Sequence, residues 1–280
     1  DGGKKGIVII LSADAITLER LIIKGSSSSD PGIKITSNGN SIKNSDISYQ
    51  GKDGIILERS SNNVIAGNFL SFNGKNAIYL KDANNNVIRN NSVGYNLKDG
   101  FYAENSASNR FEHNVAAENK NGITLDRSSN NALIENEFKS NSQNGVNLDS
   151  CRGNTLQGNN ASYNYNGIYL LRSTDNLVTE NYATKNMQNG IRLVSSVGNI
   201  LSLNRLVANR EDVYDDGDAN LWYSSEAHKG NFYSEYQNCT DTDSNGICER
   251  AYLIPGGSGS DAYPLATSFL NELSPAIQNK

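Results

Sequence analysis

Residues 121–145 read NGITLDRSSNNALIENEFKSNSQNG, with Asn or Ser at ten of the 25 positions and Ile123, Leu125, Leu133 and Ile134 set among them. Asn forms helices poorly and is depleted from ordinary strands. The same phrase recurs along the chain, and the recurrence explains it. Turns opening GIKIT, GIILE, AIYLK, GFYAE, GITLD, GVNLD, GIYLL and GIRLV begin at positions 32, 54, 77, 100, 122, 145, 167 and 190, always 22 or 23 residues apart. An earlier turn is suggested by AITLERLIIKG at 15–25, and a ninth is expected near Val213, where the pattern fails.

Stacking the turns exposes columns. Apolar columns run through Ile55, Ile78, Phe101, Ile123, Val146, Ile168 and Ile191, and through Leu57, Leu80, Ala103, Leu125, Leu148, Leu170 and Leu193. Two more pass through Leu133 and Phe138. Apolar residues two apart in short runs mark strands with one buried face. Three such runs per turn make a triangular coil. Asn columns contain Asn131, Asn136 and Asn141 at or beside its corners. Asn tolerates a left-handed corner, and its amide can bond to the next rung at about 4.8 Å. The recurring Asn-Gly pairs also suit hairpins, but antiparallel pairing would not keep identical residues aligned over seven turns. Leucine-rich repeats share the period yet need a regular leucine skeleton. The expected fold is all-β, a right-handed parallel β-helix with three strands per turn. Its divisions are an N-terminal turn and cap at 1–31, repeats at 32–212, a C-terminal cap at 213–265 and a tail or linker at 266–280.

The 280 residues carry 25 basic and 30 acidic side chains, a net charge of −5, with no basic block. That argues against sequence-independent nucleic-acid binding. No apolar run approaches the ~18 residues of a membrane span. No secretory signal is read, and a chain opening at Asp1 fits a mature fragment.

Outward positions of the first strand of each turn offer the candidate chemistry. Tyr79, Tyr102, Tyr169 and Arg192 lie in one column; Glu104, Asp126 and Asp149 stack in the next. Tyrosines stacking on sugar rings and carboxylates bonding hydroxyls make a carbohydrate-binding face. Close carboxylates repel, so one titrates upward or a cation sits among them. The catalytic alternative is a polysaccharide lyase, hydrolase or epimerase using Tyr102, Glu104, Asp126, Arg127 and Asp149. Against it, His113, the only histidine of the repeats, falls on another face.

Cys239 and Cys248 lie nine residues apart in a turn-rich segment and can close a disulfide, which suits an oxidising setting. Between them, DTDSNGICE offers Asp241, Asp243, Asn245, the Ile247 carbonyl and Glu249 to a Ca²⁺ ion, resembling the start of a calcium loop. Copper is disfavoured because His113, His228, Met187 and the cysteines do not cluster in sequence. Sequons at Asn90, Asn160 and Asn238 fit a glycosylated surface protein.

The columns and the phrase GI-L--SSNN-I--N resemble the NosD-type, carbohydrate-binding and sugar-hydrolase branch of the pectate-lyase-like superfold, over roughly residues 6–212. GNFYSEY (230–236), DTDSNGICERAY (241–252) and DAYPL (261–265) look like the tail that follows such repeats in archaeal cell-surface proteins. The resemblance implies an extracellular or cell-surface location and a carbohydrate-related role. A non-catalytic protein binding a polysaccharide or envelope glycan is the first expectation; self-assembly into a surface layer or filament is the structural alternative.

Overall fold

The computed structural model describes residues 2–268, and the coil is a parallel β-helix. Ten parallel strands, from Ile9–Leu11 to Glu211–Asp215, form the first sheet, and nine, from Thr17–Glu19 to Ile200–Ser202, the second. The third sheet holds six strands, from Ile22–Ile23 to Glu137–Lys139, and then Tyr182–Thr184, Arg205–Val207 and Phe232–Tyr233. Asn160, bridging Glu137 and Tyr182, joins the two parts. Register follows the sequence columns: Ile123 pairs with Phe101 and Val146, and Leu125 with Ala103 and Leu148. These residues are fully buried. Val213 also continues its column, buried and paired with Ile191; the pattern breaks at Asp215, which takes the buried leucine place opposite Leu193. Ten rungs at the strand spacing give a rod of about 45 Å.

Each interior Asn bonds in both directions along the rod. Asn114 donates its backbone N–H (2.9 Å) and Nδ2 (3.0 Å) to Asn136 Oδ1, one rung on, and Nδ2 also donates to the Ile88 carbonyl (2.8 Å), one rung back. The expectation that these asparagines take the left-handed backbone needs correcting. The left-handed residue is the one immediately before each: Asn130 before Asn131, Glu135 before Asn136, Ser140 before Asn141. That residue turns the corner with its side chain outward, which leaves the Asn free to point in. A further corner uses the smaller column Ser106, Ser128, Cys151, Ser173 and Ser196, all buried. Lone Cys151 therefore serves as a corner residue, donating to the Leu125 carbonyl, and burial pushes its thiol up to about 12.

The Asn-Gly pairs open strands and do not make hairpins. Gly100, Gly122, Gly145, Gly167 and Gly190 all avoid the left-handed region; a Cβ on Gly122 would lie 2.5 Å from the Gly145 carbonyl oxygen. Glycine suits these places because the next rung passes close, although Ala77 fills the matching place earlier in the coil.

In the three Asn ladders the bonds from amide to amide all run toward the C-terminal end, and each ladder finishes there on a buried carboxylate. Asn220 donates to Asp215 (3.0 Å), Asn231 to Asp261 (2.7 Å) and Asn209 to Asp212 (2.9 Å). A negative group at the donor end complements aligned amide dipoles, as it does at a helix N-terminus. Trp222, fully buried, donates its indole N–H to Asp215 and covers the last rung. Tyr252–Leu253 and Ser260–Asp261 pair antiparallel beyond it, and Cys239 is disulfide-bonded to Cys248 with Cα atoms 5.0 Å apart. Most of the expected tail, residues 269–280, lies outside the described residues.

Burial holds the Asp261 carboxyl at about 6, above its ordinary 3.8, despite donors from Asn231, Tyr263 and Tyr233. Asp212 is raised by the same cause. A raised carboxyl binds its proton more tightly when folded, so its contribution is complete below about pH 4 and lost as pH rises through about 6. A shift of about two units is worth at most about 3 kcal/mol. Urea denaturation should therefore show stability falling between about pH 4 and 7, with a shallower fall in Asp261→Asn. A rise over that range, unchanged by the substitution, contradicts this assignment.

Candidate functional site

On the first sheet, outward residues stand at each strand's centre and end. Tyr79 pairs in register with Ile56 and Tyr102; Lys81 with Glu58 and Glu104; Glu104 with Asp126, and Asp126 with Asp149. The two tyrosine rings are 5.2 Å apart and tilted by 55°. Each hydroxyl donates to a carboxylate about one rung on, Tyr79 to Glu104 and Tyr102 to Asp126 (3.0 Å). Burial first, then these carboxylates, push both phenols well above their ordinary value, so both remain protonated. Arginine is the cation among the stacked acids: Arg127 meets Glu104 (2.8 Å) and Asp126 (2.9 Å), and Arg172 meets Asp149 (2.7 Å).

A cleft of about 510 Å³ gathers part of this set, including Tyr79, Tyr102, Glu104, Glu58, Lys34 and Lys81. Its floor includes Asp53, which is fully buried. Asp53 Oδ1 accepts from the backbone (3.1 Å) and side chain (2.9 Å) of Asn76, whereas Oδ2 has no hydrogen-bond partner. Desolvation raises its pKa despite Lys52 and Lys75 nearby. Asp126, Arg127, Asp149, Tyr169 and Arg192 lie further along the sheet, outside the cleft lining. Arg192 sits over the Tyr214 ring at 4.4 Å and donates to Asn189.

Sequence reasoning overlooked two features here. Asp53 and Asp99 are carboxylates in the column otherwise filled by Asn76, Asn121, Asn144, Asn166 and Asn189, a fourth amide ladder at the start of the first strand. One residue earlier, Lys52, Lys75, Lys98 and Lys120 recur on consecutive rungs. Their spacings of 23, 23 and 22 residues were legible, but attention to strand interiors passes over a column lying just before the strand.

In the cap, Asp241 and Asp243 both accept from the Asn245 N–H (3.0 and 3.3 Å), and Asn245 Oδ1 accepts from Ile247 N–H. Glu249 turns instead to Thr242 and Thr240, and these bonds lower its pKa to about 2. Among the described residues no three His, Cys, Asp or Glu side chains converge as a metal cluster. The donors copper favours are dispersed: His113 pairs with Glu135, His228 packs edge-on to Tyr263, Met187 is exposed, and Cys151 is buried in its corner. They do not fit a copper centre. Asn90 and Asn238 are exposed, while Asn160 is part of the third sheet's wall and accepts from Ser162.

Comparison with known proteins bears on this geometry. The family described as periplasmic copper-binding protein (NosD) matches residues 93–238, and the right-handed beta helix region matches residues 5–148. No curated protein matches the chain. Among solved structures, the A-module of Azotobacter vinelandii mannuronan C-5 epimerase AlgE4 is similar with a TM-score of 0.67 and 14% identity, covering 72% of this chain and 63% of that one. The periplasmic alginate epimerase AlgG gives 0.66 and 19%, over 74% and 58%. The chain thus spans about three fifths of these proteins, and at such identities the likeness shows the fold. The chain belongs to the NosD family and folds as its right-handed parallel β-helix.

Proposed function

We propose that this is a cell-envelope protein that binds a polysaccharide across its first sheet, centred on Tyr79, Tyr102 and Glu104. The observation that carries the reading is the cleft and its border: two half-buried tyrosines on successive rungs line it, each hydroxyl tied to a carboxylate, with Asp126 and Arg127 just beyond the lining and Arg127 fixing the acids. Aromatic faces suit sugar rings, and preset carboxylates suit hydroxyls. The disulfide in the cap and the word periplasmic in the names of the family and of AlgG support an envelope location.

Affinity electrophoresis through gels containing a panel of polysaccharides tests this. Retention by at least one polymer is expected, weakened about tenfold by Tyr102→Ala, as for loss of one aromatic contact. Migration unchanged in every gel would remove the proposal.

Turnover in the same cleft is the second reading. Two similar structures are named epimerases, and here protonated phenols lie beside a carboxylate, an acid and a base within one cleft. Epimerisation at a carbon beside a carboxylate exchanges its hydrogen with solvent. Incubation in D₂O followed by mass spectrometry of the polymer decides: deuterium gain supports epimerisation, whereas none leaves binding alone.

Calcium in the 241–249 loop is also proposed, as a structural ion. Asp241, Asp243, Asn245 and the Ile247 carbonyl would supply oxygens, with Glu249 released from Thr240 and Thr242. Added Ca²⁺ should raise the melting temperature in the native chain but not in Asp243→Asn; no rise at millimolar Ca²⁺ removes the site.

A further inference from the structure

We infer that the polymer is acidic, with a carboxylate on each sugar ring, and that the row Lys52, Lys75, Lys98 and Lys120 grips those carboxylates. This rests on the polysaccharide reading and names its substrate class. The four lysines hold one structural position on four rungs: the N–H of each of the last three donates to the carbonyl of the lysine before it, at 2.9, 3.0 and 2.8 Å. Their side chains therefore start at about the 4.8 Å strand spacing.

None of the four forms an ion pair with any described residue. Several other cations of this face do, Lys34 with Glu58, Arg127 with Glu104 and Arg172 with Asp149. Four ammonium groups in file without a salt-bridge partner repel one another, and the buried carboxyls of Asp53, near Lys52 and Lys75, and Asp99, near Lys120, offset this in part. The row ends where Gln143 takes the next place.

Six residues after three of these lysines come Glu58, Glu104 and Asp126, a parallel column of acids across the strand that Lys81 interrupts between Glu58 and Glu104. A sugar ring lying between the rows on Tyr79 or Tyr102 would turn its carboxylate to the lysines and its hydroxyls to the acids. A phosphate backbone has no such hydroxyl edge and would be repelled by the second row. The unpartnered Oδ2 of Asp53 lies between the rows at the floor of the cleft. Burial raises its pKa and so favours the protonated form, in which it would donate to a ligand oxygen.

The test uses polymannuronate and polygalacturonate, each beside its carboxyl-reduced neutral counterpart, with dextran sulfate as a polyanion of different chemistry. Retention should fall about tenfold on carboxyl reduction and to a similar degree in Lys75→Gln/Lys98→Gln, the loss expected from two exposed charge pairs. Both side chains are exposed, so the double variant should fold normally. Equal retention of acidic and reduced polymers, or an unaffected double variant, overturns the lysine assignment while leaving polysaccharide binding intact. Dextran sulfate held as tightly, with the same lysine dependence, reduces the row to general anion attraction and overturns it too. If no polymer is retained, the underlying reading falls with it.

Discussion

Asn136→Leu destabilises the chain by about 4 kcal/mol in urea denaturation, because an apolar side chain of similar size breaks four bonds at once. Asn136 accepts from the Asn114 backbone (2.9 Å) and Nδ2 (3.0 Å), and donates to the Phe111 carbonyl (3.0 Å) and to Asn159 Oδ1 (2.9 Å). Substitution orphans the Asn114 N–H in a wall without solvent, and orphaned buried groups cost about 1–3 kcal/mol each. Leu fills the space, so water cannot repair the gap. Asn136→Asp keeps both acceptor bonds and should lose less. A cost below about 1 kcal/mol would mean the ladder contributes little beyond filling the corner.

Gly122→Val is the second large effect, at more than about 3 kcal/mol, above most overpacking because the obstruction is main chain. Its Cβ would meet the Gly145 carbonyl oxygen at 2.5 Å and Phe138 Cβ at 2.7 Å. Neither atom can move without shifting a rung. Ala77 occupies the matching place two rungs earlier, so one methyl can be admitted there; a branched residue adds bulk with nowhere to go. A melting temperature within a degree or two of the parent would contradict the close approach of the rungs.

Both substitutions also indicate what was legible in the sequence. Strand phase, sheet number and register followed from columns such as Ile123 and Leu125, because a period of two within a period of 22 or 23 admits few other folds. The asparagines were recognised as corner residues, but their backbone was misassigned. Composition cannot separate a residue that takes a left-handed turn from the neighbour whose side chain benefits from it. Asn130 and Asn131 differ only in which does which. The carboxylates ending the ladders were hidden for another reason. Asp212 and Asp215 meet them from the last strand of the first sheet, where the repeat pattern fails, and Asp261 from the short final hairpin.

Within the site, Tyr79, Tyr102 and Glu104 were readable because they alternate with buried residues. Their union with Lys34 and Asp53 in one cleft depends on which rungs lie side by side. Asp149, Tyr169 and Arg192 belong to the same columns yet lie outside it. A column fixes the face a residue is on; the neighbouring rungs fix what it can bind.

The most direct test of polysaccharide binding on the first sheet is hydrogen exchange, measured with and without the polymer that gel electrophoresis selects. The account predicts added protection in peptides covering Lys52–Glu58, Lys75–Lys81 and Lys98–Glu104, with the second and third sheets unchanged. Protection confined to those other sheets or to the cap would contradict it.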